Sequence, residues 1–287
     1  MKTYEECIPC VDRQLVKLAE MLSDDPVMQR RIRDAGKQAF DPKYMNCPPP
    51  YFAQKVHRAV RKVSGVADPY ADLKRQYNQK ALNYAPRLKK MILESENRFR
   101  QAVLISLAGN IIDFGAGSDF KLMETILRVL GEEPVVDEIT DLENAVSKAN
   151  RILFIGDNAG ETVMDRLLIE EISPGKDILY SVRGGPILND ATMEDAIEAG
   201  LDRYAKLLSN GSDAPGIILD DCSLKFRREF ENADLIIAKG MGNYETLSEI
   251  CDSRLFFILL IKCELVARHI GYKKGGAVVM RSRRTGS

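Results

Sequence analysis

Four polar clusters in the second half of the chain carry residue types that could do chemistry, and each follows a short apolar run. In the first, Ile152-Leu153-Phe154-Ile155 leads into Gly156-Asp157-Asn158-Ala159-Gly160-Glu161, so an acid and an amide leave the run together between small residues. Asp157 and Asn158 offer hard oxygens suited to Mg²⁺ or Mn²⁺, and the glycines let backbone N–H groups approach an anion. Glu161 would open the next helix, where its charge suits the positive end of the dipole. A plain strand-to-helix turn capped by Asp157 or Asn158 fits the same residues.

The second cluster, after Ile178–Val182, is Arg183-Gly184-Gly185 followed by Asn189-Asp190. Arg183 can meet a phosphate and Asp190 can reach a metal, although either Asn189 or Asp190 could simply cap a helix. The third, Ser209-Asn210-Gly211-Ser212-Asp213, could wrap a phosphate with backbone amides or be a turn. In the fourth, Lys239-Gly240-Met241-Gly242-Asn243 follows Leu235–Ala238, and a lysine beside exposed amides at a helix start is a natural phosphate clamp. Open α/β sheets bind ligands beyond the carboxyl ends of their strands, so the four clusters together weigh more than any one alone. Neither a Gly-x-Gly-x-x-Gly nor a Gly-x-x-x-x-Gly-Lys-Ser/Thr string occurs, which argues against a dinucleotide oxidoreductase and an NTPase.

The elements that must position these residues change character along the chain. Up to about Gly117 the pattern is helical, with 3.6-residue stripes over 10–22 and 51–63, and a nearly all-apolar helix over 98–114. Further helices are expected over 119–130 and 141–149. From Arg151 onward short apolar runs at 152–155, 178–182, 235–238, 255–261 and 277–280 alternate with helical segments. That rhythm predicts a three-layer α/β/α domain with a mainly parallel sheet (118–287, of which 118–149 is a helical connection), preceded by an all-helical domain (1–117).

Composition narrows the function. Lys plus Arg total 41 and Asp plus Glu 42, a balance that argues against a nucleic-acid partner. No apolar run approaches the roughly 18 residues of a membrane span, and the chain start has no apolar signal region. A cytoplasmic protein with reduced cysteines is therefore expected. The two histidines, His57 and His269, cannot build a His-rich zinc centre, so a metal must use oxygens or cysteines. Cys7-x-x-Cys10 with Cys47 offers three thiols where structural zinc takes four ligands, so buried free cysteines are the expectation there, with a second metal site or a redox pair as the lesser alternative, and Cys222, Cys251 and Cys263 read as core. Asn110 and Asp113 stand one turn apart on the apolar helix and are read as facing a cleft. Asp68, Lys74 and Asn78 read as a solvated helix face, and the tail 281–287 as a frayed end.

Taken in order, Gly-Asp-Asn-Ala-Gly-Glu at 156–161, Arg-Gly-Gly-Pro-Ile-Leu-Asn-Asp-Ala-Thr at 183–192 and Lys-Gly-Met-Gly-Asn-Tyr-Glu at 239–245 resemble the damage-control phosphatases, the family first catalogued as domain of unknown function 89. Cys7-Ile8-Pro9-Cys10 and Leu107-Ala108-Gly109-Asn110-Ile111-Ile112-Asp113 match its short cysteine-containing branch, which includes archaeal proteins. The resemblance runs from residue 4 nearly to 280 and implies a metal-dependent phosphatase of small phosphorylated metabolites: sugar phosphates, cofactor precursors or damaged metabolites. It implies a divalent ion, Mg, Mn, Co or Ni, held by Asp157, Asn158 and Asp190, with Lys239 gripping the phosphate. Asp157 would attack phosphorus or orient a metal-activated water. Glu161, Arg183, Ser209, Asn210, Gly211, Gly240, Gly242, Asn243, Asn110 and Asp113 complete the expected substrate contacts. The Arg-Thr-x-Lys motif of longer members is absent, Arg284-Thr285 being out of place, so their substrates do not transfer. The rival expectations are a metal- or phosphometabolite-binding protein without turnover and an S-adenosylmethionine-dependent carboxyl methyltransferase, whose usual glycine-rich loop is missing.

Overall fold

A computed structural model describes residues 1–111 and 119–283 of the protein. Its helices before the sheet are α1 (Ile8–Leu22), α2 (Pro26–Gln38), α3 (Pro49–Ser64), α4 (Ala71–Leu93), α5 (Arg98–Ile111) and α6 (Asp119–Gly131). The rest alternates: β1 (Val136–Asp137), α7 (Ile139–Lys148), β2 (Arg151–Ile155), α8 (Glu161–Ile172), β3 (Asp177–Val182), α9 (Met193–Glu198) and β4 (Lys206–Ser209). Then come α10 (Leu224–Asn232), β5 (Leu235–Lys239), α11 (Gly240–Leu247), β6 (Leu255–Leu260), α12 (Glu264–Ile270) and β7 (Ala277–Arg281).

Local chemistry sets many of these boundaries. Asp25 caps α2 by accepting from Val27 N at 3.0 Å and Met28 N at 3.3 Å, with Pro26 in the first turn. Pro48-Pro49-Pro50 opens α3, and Gly65, at φ 72°, closes it in the left-handed conformation. Thr192 and Asp195 form a capping box at the start of α9.

The seven strands form one sheet in the order β1-β7-β6-β5-β2-β3-β4. All neighbours are parallel except β6 and β7. The five predicted strands are present within a residue or so at each end, and β1 and β4 are additions. Alternation along the strands builds two cores. Ile152, Phe154, Ile178, Tyr180, Ile237 and Ile258 face a layer of α4 to α9, while Leu153, Ile155, Ile236, Ala238, Phe257 and Leu259 face α10 to α12. The result is the expected three-layer α/β arrangement.

The helical half does not end where the sheet begins. Leu15, Leu18, Ile32, Val56 and Val60 form a small core of their own. By contrast, α4 and α5 share the large core on one face of the sheet, and Ala102 to Asn110 are buried throughout. The boundary expected at residue 117 lies outside the described residues; α5 before it and α6 after it both contribute to that core. No helix among the described residues is long and apolar enough to cross a membrane.

Candidate active site

The chain runs β2, β3, β4 towards one edge and then returns to place β5 on the other side of β2. Loops leaving β2 and β5 therefore part at their carboxyl ends and open a crevice between them. The loop after β2 carries Asp157 and Asn158, and β5 ends in Lys239. An isolated bridge pairs Asn158 with Asp190, and Ala191 N donates to Asp157 O at 2.8 Å. This pairing brings the loop after β3 alongside the loop after β2. Gly240 faces Asp157 so closely, at φ 79°, that a Cβ there would collide with Asp157 Oδ2. A Cβ at Gly242 would likewise meet Pro215 O.

The structure brings Asp157, Asn158, Asp190, Glu161, Arg183, Lys239, Asn110 and Asn243 together in one hydrogen-bonded cluster. Asp157 Oδ2 accepts from Asn110 Nδ2 at 3.0 Å and Asn158 Nδ2 at 2.7 Å. Both amides also donate to Glu161 Oε2, at 3.1 Å each. Arg183 donates from Nε to Asp190 at 2.7 Å, from Nη1 to Asn243 Oδ1 at 3.0 Å and from Nη2 to Asp157 Oδ1 at 3.4 Å. Asn243 in turn donates to Gly156 O and Lys239 O, tying the two loops together. Asp113 lies outside the described residues.

Lys239 departs from the expected role. It is 0 % exposed, and its ammonium donates to Glu161 Oε1 at 2.6 Å, Asp165 Oδ1 at 2.6 Å and Ser106 O at 3.0 Å. An ammonium has three hydrogens, and all three are committed, so none is left for a phosphate in this arrangement. Arg183 is similarly enclosed by its carboxylates. The Ser209, Asn210 and Gly211 loop folds as a turn: Asn210 Oδ1 accepts from Gly184 N at 2.9 Å and Ser212 N at 2.8 Å, and Gly211 packs against Gly184. No hydrogen bond among the described residues links Ser209, Asn210 or Gly211 to the carboxylates, although Asn210 Nδ2 is buried without a partner.

Charge explains the electrostatics. Burial lifts Asp157 to about 7, with the negative charges of Asp190 and Glu161 adding to it. Burial also lifts Asp190 and Asp165 despite the opposing charges of Arg183 and Lys239 respectively. Burial pushes Glu161 up too, but the adjacent Lys239 outweighs it and holds Glu161 below the usual range. Lys239, which burial alone would depress, is held high by Asp165 and Glu161. Four buried carboxyl groups (Asp157, Glu161, Asp165, Asp190) thus stand against two buried cations (Arg183, Lys239), and the raised Asp157, Asp165 and Asp190 are the cluster's response to that imbalance.

That order of motifs and this geometry fit one family. The chain matches the damage-control phosphatase ARMT1-like domain over residues 3–278. It belongs to that family. A damage-control phosphatase of Pyrococcus horikoshii is 36 % identical over 99 % of each chain. One of Archaeoglobus fulgidus is 36 % identical over 97 % of this chain and 98 % of its own. An uncharacterized protein of Methanocaldococcus jannaschii is 42 % identical over 98 % of this chain and 96 % of its own. The crystal structure of a DUF89 family protein from Pyrococcus horikoshii superposes with a TM-score of 0.93 at 35 % identity, covering 99 % of this chain and 100 % of that one.

Several residues of this damage-control phosphatase family member escape the sequence reading. Asp165 lies one turn after Glu161 on α8, and its Oδ2 accepts from Tyr180 Oη at 2.9 Å. Lys74 and Asn78, expected on a solvated face, are buried: Asn78 Oδ1 accepts from Gly160 N at 2.7 Å, and Lys74 pairs with Asp195 at 3.1 Å and Asp68 at 2.9 Å. They hold the loop after β2 from behind. Lys262 follows the end of β6, is exposed, has no ion-pair partner among the described residues, and lies close enough to pull Asp157 and Glu161 down by its charge. His57 is buried and neutral, lowered to about 4 by burial, and His269 bonds Tyr244 Oη through Nδ1 at 2.8 Å.

Whether the residues suit a divalent ion can be judged from their chemistry. No three His, Cys, Asp or Glu side chains among the described residues are already gathered to metal-holding distance. The strand-tip set is two carboxylates and an amide, and Asn158 Nδ2 is committed to Asp157 and Glu161, which leaves its Oδ1 as a donor. Hard oxygens from carboxyl groups that outnumber the neighbouring cations fit one divalent cation, whose charge would favour their ionised forms.

Proposed function

We propose that the chain is a metal-dependent phosphatase hydrolysing phosphomonoesters of small metabolites in the repair of damaged metabolite pools. The observation that carries this reading is the convergence of Asp157, Asn158 and Asp190 at the carboxyl edge of β2, β3 and β5, where buried carboxyl groups outnumber buried cations by four to two. Membership of the family and relatives named damage-control phosphatases support it. Mg, Mn, Co or Ni bound there would supply Lewis-acid polarisation of a phosphoryl oxygen and a lowered pKa for water.

In this reading Asp157, Asn158 and Asp190 hold the ion. Arg183 keeps Asp190 in place through its 2.7 Å bond and yields its longer 3.4 Å contact with Asp157. Asn110 fixes Asp157 Oδ2, so Oδ1 is the oxygen left for chemistry. Lys262, exposed on the rim, receives the anionic phosphate and steers it inward. Lys239, Asp165, Tyr180 and Ser106 position Glu161 and exclude water beneath the site. Overall one water is consumed: its oxygen bonds to phosphorus as the ester P–O bond breaks, a proton passes to the departing alcohol, and inorganic phosphate leaves.

Purified protein is assayed for phosphate release from p-nitrophenyl phosphate in EDTA and then with Mn²⁺, Co²⁺, Ni²⁺ or Mg²⁺. Release only when an ion is present is expected. Release in EDTA would remove the metal from the reading, and silence with every ion across a panel of phosphorylated metabolites would leave a binding protein.

A further inference from the structure

Helix α3 turns two faces to different partners. Val56 and Val60 join the small core of Leu15, Leu18 and Ile32. Gln54, Arg58 and Arg61, spaced four and then three apart, stand one above the other on another face. That face meets the loop after β4 at Asp213. Gln54 Nε2 donates to Asp213 Oδ1 at 2.9 Å, and Arg58 Nε donates to Oδ1 at 2.9 Å and to Oδ2 at 3.1 Å. Arg61 Nη2 donates to Asp213 Oδ2 as well. Burial pushes the Asp213 carboxyl up, but the two guanidinium groups outweigh it and hold it below the usual range.

The other arm of Arg61 reaches the strand-tip site. Its Nη1 donates to Pro186 O at 2.7 Å, and Pro186 lies in the loop after β3 that carries Arg183 and Asp190. A guanidinium is a planar fork, so fixing Nη2 on Asp213 also aims Nη1. Gly185, next to Pro186, approaches Asp213 so closely that a Cβ there would stand 3.3 Å from Asp213 Cβ.

Leu188 supplies the second observation. It stands two residues beyond Pro186 and two before Asp190, and at φ 47° it is the one non-glycine residue with positive φ among the described residues. A side chain makes that left-handed backbone costly, and it persists where its surroundings over-determine it. Downstream the loop is held by the strand-tip pairing: Ala159 N donates to Asn189 O at 2.9 Å, and Ala191 N to Asp157 O at 2.8 Å. Upstream, Gly184 N donates to Ser212 O at 2.7 Å, and the bond from Arg61 holds the chain nearer to Leu188.

We propose that Arg61, aimed by Asp213, is a positioning residue for Asp190: by holding Pro186 it keeps Leu188 left-handed and so fixes where Asp190 stands beside Asp157 and Asn158. The inference rests on the reading that Asp190 helps to hold the ion. It makes the α1 to α3 unit a determinant of the site through the backbone of one loop.

Two measurements on the full chain test this, the first with no metal present. In EDTA, amide hydrogen exchange in Arg61→Ala should speed up at Ala159, Asp190 and Ala191, while the amides within β2 and β3 keep their protection. Asp213→Asn keeps Arg61 but loosens its aim, and should speed the same three amides by less. Arg58→Ala removes a partner of Asp213 that has no bond to the β3 loop among the described residues, so it should leave them unchanged. The second measurement is Mn²⁺ affinity, read from the free-ion signal in electron paramagnetic resonance. Arg61→Ala should bind Mn²⁺ about tenfold more weakly, the lower end of the range for outer-shell changes. Leu188→Gly removes the Cβ that strains the turn, so on that background Arg61→Ala should weaken binding by about threefold or less, the two sites being coupled. Unchanged exchange in Arg61→Ala, an equal effect from Arg58→Ala, or an equal loss of affinity on both backgrounds would each overturn the proposal. If the unmodified protein bound no Mn²⁺, the ligand reading of Asp190 would fail, and the exchange measurement would still decide the role of Arg61.

Discussion

Two lysines end adjacent parallel strands of the sheet, and their surroundings give them opposite work. Lys239 closes β5 on the floor of the crevice, wholly buried, with each of its three hydrogens on a buried oxygen. Lys262 follows β6 on the rim, exposed, with no ion-pair partner among the described residues. Position on the sheet selects both; burial and donor count tell them apart. A cation whose hydrogens are all spent holds a scaffold, whereas one in solvent can meet an incoming anion.

The floor is where the largest effect is expected. Lys239→Met leaves Glu161 and Asp165 buried without their cation, and breaking such a pair costs about 3–5 kcal/mol. Denaturant midpoints should fall accordingly. The triple variant with Glu161→Gln and Asp165→Asn should recover part of the loss, because the unpaired charges are gone. If Lys239→Met instead kept its stability and lost only activity through a raised KM, Lys239 would be a phosphate ligand after all and the contrast would dissolve.

Asp157→Asn should show the converse pattern. It removes charge where the cluster has a surplus, so stability without metal should hold or rise. Phosphate release at saturating metal should fall by about 10²–10³, the scale for losing a charge-stabilising group. Near-normal turnover would exclude Asp157 from the chemistry.

The pH dependence of the metal-free protein sharpens the same contrast. The carboxyl of Asp157 ionises at about 7 in the folded chain against an ordinary value of 3.8. A group raised in this way favours the fold fully below its unfolded pKa, and that contribution is lost as pH rises through the folded one. In EDTA the melting temperature should therefore decline between pH 4 and pH 7, and Asp157→Asn should flatten the decline. Adding Mn²⁺ at pH 7.5 should restore the loss in the unmodified protein. A decline that survives in Asp157→Asn would assign it to other groups.

The sequence makes the strand tips legible because burial on both faces writes continuous apolar runs, and a polar residue must mark where each run leaves the sheet. That rule finds Asp157, Arg183 and Lys239, and the longest run, Leu255–Ile261, ends at Lys262 by the same logic. It misses β4, where Lys206-Leu207-Leu208-Ser209 is too short and mixed to read as a strand. It also misses the partners across the layers. Whether Lys74 and Asn78 are solvated depends on α4 meeting α9 and α8, which no local pattern records. Asp165 carried a trace, an acid one turn beyond Glu161 on an otherwise apolar helix face.

The smallest effect is expected at the rim. Lys262→Ala removes an exposed charge that no fold contact needs, so its melting temperature should match that of the unmodified protein. The proposed role in receiving phosphate predicts about a tenfold fall in kcat/KM, carried mainly by KM, since an exposed cation attracts the bound and the reacting phosphate alike. The fall should shrink as salt is raised from ~0.01 M to ~0.5 M, because screening weakens an exposed charge and leaves a buried one nearly untouched. Lys239→Met should show no such salt dependence. Equal salt response in the two variants would mean that floor and rim share one role.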